Sequence, residues 1–202
     1  MANRTLRKFD GPLSEYALKK PQFFVKKNKT KLIELCGAFE IGKICVGFRT
    51  YDANAQADKK TNGSIDFFLD IAEFELLCHN ILSGNLTGKL NKGMQVDPFY
   101  KGSPRNGQNI SRVMSFTKAN MGIFITVHEG PGRLTQTGAM QPAYDLKGDD
   151  HVKISAMLTP EELKSFALQG GRACDFYYDH YFGREVPVEA SGNDRGDGGV
   201  EF

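Results

Sequence analysis

Residues 151–163 read His-Val-Lys-Ile-Ser-Ala-Met-Leu-Thr-Pro-Glu-Glu-Leu. Up to Leu158 the residues alternate between apolar and polar, the period of a half-buried strand. The grammar then changes. Thr159 is a preferred N-cap, Pro160 suits the first helical position, and Glu162 stands where it can reach back to the cap. Leu163, Phe166 and Ala167 follow at the spacing of one helical face, and Gly170-Gly171 is expected to end it. A strand therefore runs straight into a capped helix.

The same grammar occurs earlier in the chain. Ile65-Asp-Phe-Phe-Leu69 reads as a strand, Asp70 as its helix cap and Glu73 as the reciprocal acid. Phe74, Leu77, Cys78 and Ile81 form the apolar face, and Gly84 supplies a left-handed stop. Displaced by 89 positions, Ile65 falls on Ile154, Asp70 on Thr159, Glu73 on Glu162 and Phe74 on Leu163. Further strands are expected upstream of each junction: 31–36 and 42–51 in the first half, then 111–119, 122–129 and 134–143 in the second. The expected class is α+β, with two β-β-β-β-α units in tandem, antiparallel sheets and packed helices.

This divides the chain into a basic N-terminal arm (1–29), one globular domain (30–182) and an acidic tail (183–202) expected to be disordered. Within the domain the two pseudo-repeats are 30–86 and 109–182. The polar stretch 87–108, rich in Gly, Asn and Lys, reads as a connector.

Charge is distributed unevenly. Net charge is only +2, yet residues 1–31 hold nine Lys/Arg against Asp10 and Glu15. From Glu185 onward five acids face Arg195 alone. No apolar run approaches the ~20 residues of a membrane helix, and the N-terminus shows no secretory h-region, so a cytoplasmic protein is expected. Cys36, Cys45, Cys78 and Cys174 form no CxxC pair. The first three sit in apolar segments and read as small buried hydrophobes rather than disulfide or zinc positions.

No motif of a known catalytic centre is present: no G-x-S-x-G, Walker loop or H-E-x-x-H. His79, His128, His151 and His180 stand apart in sequence, so no metal site or cofactor is expected. An enzyme would have to gather His128, His151 and Asp179 or His180 in space.

The binding residues are more suggestive. In the strand 43–51, Ile44, Val46 and Phe48 share one face; Lys43, Arg49 and Tyr51 share the other, with small Cys45 and Gly47 between them. Cations and an aromatic around a flat centre suit an extended nucleic-acid backbone with stacked bases. Arg112, Phe116 and Lys118 alternate on a second strand, and Lys153 lies opposite Ile154 in facing. With Lys26, Lys27 and Lys29 of the arm these make the candidate nucleic-acid-binding set.

The run Val152-Lys-Ile-Ser-Ala-Met-Leu-Thr-Pro-Glu-Glu-Leu-Lys164 resembles the final strand and helix start of small bacterial members of the Whirly and transcription-coactivator-like single-strand-binding group. That resemblance would span residues 30–182. It implies a binder of single-stranded DNA or RNA with little sequence preference, which often oligomerises through its helices; the leading expectation is a single-stranded-DNA binder serving replication, transfer or transcription. The Lys-Gly-Lys-Ala-Ala motif of plant Whirly proteins is absent, so no contact residue carries over. The tail, ending Val200-Glu201-Phe202, is similar to the acidic tips by which bacterial single-strand-binding proteins recruit partners. The alternative class is a non-catalytic assembly protein of a mobile element or virus, forming a homo-oligomer.

Overall fold

A computed structural model describes residues 21–52, 61–105 and 107–182 of the chain. The first half contributes β1 (Gln22–Lys27), β2 (Lys31–Ala38), β3 (Lys43–Tyr51), β4 (Thr61–Asp70), α1 (Ile71–Leu82) and α2 (Asn85–Asn91). The second contributes β5 (Phe99–Arg105), β6 (Gln108–Ala119), β7 (Gly122–Leu134), β8 (Met140–Pro142), β9 (Val152–Leu158) and α3 (Pro160–His180). The class is α+β, with two antiparallel sheets and packed helices. Sheet one is the meander β1-β2-β3-β4; sheet two runs β5-β6-β7, and the long β7 pairs β9 over its first half and β8 at its end. Among the described residues no helix is long and apolar enough to cross a membrane.

Period-two patterning assigns the inner faces. Ile33, Leu35, Val46, Phe48, Ile65 and Phe67 line sheet one, while Met114, Phe116, Ile125, Val127, Ile154 and Leu158 line sheet two. They join the helix residues Phe74, Leu77, Leu163, Phe166 and Ala167 in one continuous core. Burying a phenylalanine side chain is worth about 1.5–3 kcal/mol. The edge-to-face pair of Phe74 and Phe166, with centroids 5.9 Å apart, ties α1 to α3 across that core.

Both helix starts form as their sequences require. Thr159 Oγ1 accepts from the Glu162 N–H at 3.3 Å, while the Glu162 carboxylate accepts from the Thr159 N–H at 3.0 Å. At α1 the Glu73 carboxylate accepts from the Asp70 N–H at 3.2 Å. Gly84 adopts the left-handed conformation (φ 76°) and turns the chain directly into α2.

Four expectations are corrected. First, α3 does not stop at Gly170-Gly171 but runs to His180. Its apolar stripe continues through Gly170, Ala173 and Cys174, and the missing Cβ of Gly170 is what lets α1 cross here. A methyl group there would lie 2.6 Å from Cys78 Sγ and 2.7 Å from the Phe74 ring. Second, the stretch read as a connector, 87–108, contains the end of α2 and all of β5. Leu86 and Leu90, one turn apart, are both buried, which anchors α2. Pro104 is tolerated in β5 because that strand is at an edge. Third, no strand runs from 134 to 143; β7 itself extends to Leu134, and only Met140–Pro142 folds back onto it. Fourth, the end of the basic arm is an edge strand whose Phe23 and Phe24 pack against Phe39 and Phe166. The remainder of the arm (1–20) and the acidic tail (183–202) lie outside the described residues.

Candidate nucleic-acid interface

Register places the expected binding residues individually. On the outer face of sheet one, Leu32, Arg49 and Ser64 form one cross-strand row; Glu34, Gly47 and Asp66 form the next. Ala38, Lys43 and Asp70 form another. Lys43, Arg49 and Tyr51 do share this face, but neighbouring strands supply acids to the cations. The Arg49 guanidinium lies 3.1 Å from Glu34 Oε1 and 2.6 Å from Asp66 Oδ1. Lys43 reaches Asp70 at 2.5 Å, and Lys101 bridges Asp70 and Glu73 at 2.8 and 2.5 Å. Hydrogen bonds from Lys101 first, and then from Lys43, hold the Asp70 carboxyl well below the usual carboxylate range. The charge at the centre of this face is therefore largely satisfied within the protein.

The arm residues differ among themselves. Lys27 sits over the Tyr51 ring, 4.7 Å from its centroid, so each occupies part of the other. Lys29 is exposed in the β1–β2 turn, where Asn28 Oδ1 accepts from the Thr30 and Lys31 N–H groups at 3.0 and 2.7 Å. Lys26 points to the other side and pairs with Glu162, tying β1 to the first turn of α3. That pairing, ahead of the Thr159 backbone bond, lowers the Glu162 pKa.

In sheet two the residues expected to alternate toward solvent mostly face inward. Phe116 is buried at 4% exposure and packs edge-on against Phe99, so it has no ring face to offer a base. Arg112 pairs with Glu129 at 2.5 Å. Lys118 shares their parity but lies at the strand end, exposed on the rim of a cavity of about 650 Å³ between α1, α2 and the β6–β7 turn. Only Lys153 stands on the outer face of sheet two.

That outer face is the more unusual surface. Its rows are Tyr100, Val113, His128 and Lys153; then Ser115, Thr126 and Ser155; then Thr117, Phe124 and Met157. Phe124 is 37% exposed although β7 is an internal strand, and Tyr100 is 50% exposed. Among the described strand residues of this face there is no Asp or Glu. Thr126 and Ser155 hydroxyls bond across the strands at 2.9 Å, which keeps the centre flat. From strand spacing and rise, Tyr100 and Phe124 stand roughly 16 Å apart. An apolar ring beside the Thr126–Ser155 hydroxyl pair can stack a base, and Lys153, further along the same face, can meet a phosphate.

One end of this face is clamped. His128 Nδ1 and His151 Nε2 share a hydrogen bond of 2.6 Å, and the Tyr144 ring stacks on His151 at 4.6 Å. The Tyr144 hydroxyl donates to the Ser111 carbonyl at 3.3 Å. Burial first, then His151 and Lys153, pushes the His128 pKa down to about 4. The structure thus brings two of the histidines together, while the His180 ring lies against Phe176 on α3. Among the described residues no three His, Cys, Asp or Glu side chains gather as metal ligands would.

Phe124 and Tyr100 escaped the sequence reading. Ile123, Phe124, Ile125, Thr126, Val127 and His128 begin as an unbroken apolar run, and nothing local says which parity faces out. The usable signal was that Phe124 shares parity with Thr126 and His128.

A scan of protein-family models returns no match to this chain, and a search of curated proteins returns none either.

Proposed function

We propose that this protein is a non-catalytic binder of single-stranded nucleic acid that holds its ligand on the outer face of sheet two. The supporting observation is that face itself: two exposed aromatics, Phe124 and Tyr100, share it with Lys153, and its described strand residues include no carboxylate. Bases stack on aromatic side chains regardless of their identity, so such a site has little sequence preference. Lys118, exposed at the end of β6, offers an additional phosphate contact. The run of antiparallel strands closed by a helix, met twice, supports a Whirly-like arrangement and with it a role in replication, transfer or transcription. Arg49, Lys43, Arg112 and Phe116 act structurally in this reading.

The test is fluorescence anisotropy of labelled oligo-dT across a salt series, with a duplex of equal length for comparison. Tighter binding to the single strand, weakening with salt, is expected. Equal affinity for duplex, or no salt dependence, overturns the reading.

A second reading, an assembly protein, draws on Leu76, Leu168 and Phe182, exposed by 61%, 56% and 66% on or just beyond α1 and α3. Light scattering separates the two: stable large particles without oligonucleotide affinity favour assembly.

A further inference from the structure

The four cysteines, scattered in sequence, are brought by the fold into two separate pairs. Cys36 on β2 stands directly opposite Cys45 on β3. Cys78 of α1 and Cys174 of α3 meet in the helix crossing, where each is buried at 3% and 1% exposure. None of the four is held in a disulfide. The two pairs differ in access: Cys36 is only partly buried, whereas the other three are buried.

We propose that Cys36 and Cys45 form a cross-strand dithiol that oxidises to an intramolecular disulfide, independently of the nucleic-acid reading. Directly opposed residues of an antiparallel pair have Cα atoms about 4.5–5.5 Å apart, within the ~4.4–6.8 Å that a disulfide spans. The Cβ atoms, typically about 4.5–5.5 Å apart in such pairs, need to close by roughly 1 Å. The bridge joins neighbours in a hairpin already held by its ladder, so the fold needs no rearrangement.

With oxidised glutathione as the oxidant, the Cys36 thiolate attacks one glutathione sulfur and expels the other as a thiolate. Cys45 then gives up its proton and attacks the Cys36 sulfur, expelling the second glutathione. Two protein thiols become one disulfide, and the two electrons and two protons leave on two molecules of reduced glutathione. The order follows from access. Burial first, with Asp66 and Cys36 beside it, raises the Cys45 thiol well above its ordinary pKa, so Cys45 is a poor first nucleophile. Its attack on Cys36 is intramolecular, and that proximity offsets the scarcity of its thiolate.

Reduced full-length protein, incubated with oxidised glutathione at mildly alkaline pH, is quenched in acid, denatured and alkylated, then mapped by mass spectrometry. The expected product has lost two of its four thiols, carries no glutathione, and links the Cys36 and Cys45 peptides within one chain. Cys78 and Cys174 remain alkylatable. A Cys36→Ser variant keeps Cys45 free under the same treatment. A stable glutathione adduct on Cys36 with Cys45 unlinked overturns the proposal. So does a Cys78–Cys174 link in its place, a bridge between chains, or four unreacted thiols.

Discussion

Phe124 projects from the outer face of sheet two and takes no part in the core. Its alternate neighbours Ile123 and Ile125 fill the core, and Thr126 is satisfied by Ser155. Replacing Phe124 with Ala should therefore spare the fold, shifting the melting temperature little. Loss of a stacking platform should lower single-strand affinity by about 1–3 kcal/mol. His128 makes a separate prediction about pH. Its folded pKa, about 4, lies below the ordinary histidine value near 6.5. Between those values the unfolded chain binds more protons than the folded one. The associated stability is thus fully present above pH ~6.5 and is lost as pH falls toward 4. Melts at pH 7 and pH 4.5 should show wild type losing about 2 kcal/mol more than His128→Asn. Equal losses would mean that burying His128 in its neutral form does not make stability depend on pH.

At the scale of elements, both helix starts and the Gly84 stop of α1 were legible, and the end of α3 was not. Thr159-Pro160-Glu161-Glu162 and Asp70-Ile71-Ala72-Glu73 hold their information within one turn, so both helix starts could be read directly. Gly170-Gly171 carries the same local signal as a helix stop, but its meaning is set by α1. The glycine admits Phe74 and Cys78 instead of ending the helix. Gly170→Ala is helix-favouring in isolation by about 1 kcal/mol, yet it should destabilise this protein by about 1–3 kcal/mol through overpacking. Chemical denaturation decides between these signs; a stabilised Gly170→Ala would refute the tight crossing. The buried pair Leu86 and Leu90 was likewise too short a pattern to stand out from the polar residues around it.

At the scale of the whole molecule, what the sequence could not convey is which strands lie beside which. Alternation in 43–51 correctly put Lys43, Arg49 and Tyr51 on one face. The acids that neutralise the two cations come from β2 and β4, and only the register reveals them. The same register gathers Tyr100, Phe124 and Lys153 from three separated segments into one surface. In the proposed reading, functional weight therefore moves from the first sheet to the second. The most direct measurement is a salt titration of oligo-dT binding by anisotropy for wild type, Phe124→Ala, Lys153→Gln and Arg49→Gln. Wild type should bind, and Phe124→Ala should weaken binding at every salt concentration. Lys153→Gln should reduce the slope of log K against log salt by about 0.7, while a folded Arg49→Gln should bind nearly as wild type does. Loss of binding in folded Arg49→Gln, with Phe124→Ala and Lys153→Gln unaffected, would contradict the placement of the site on sheet two.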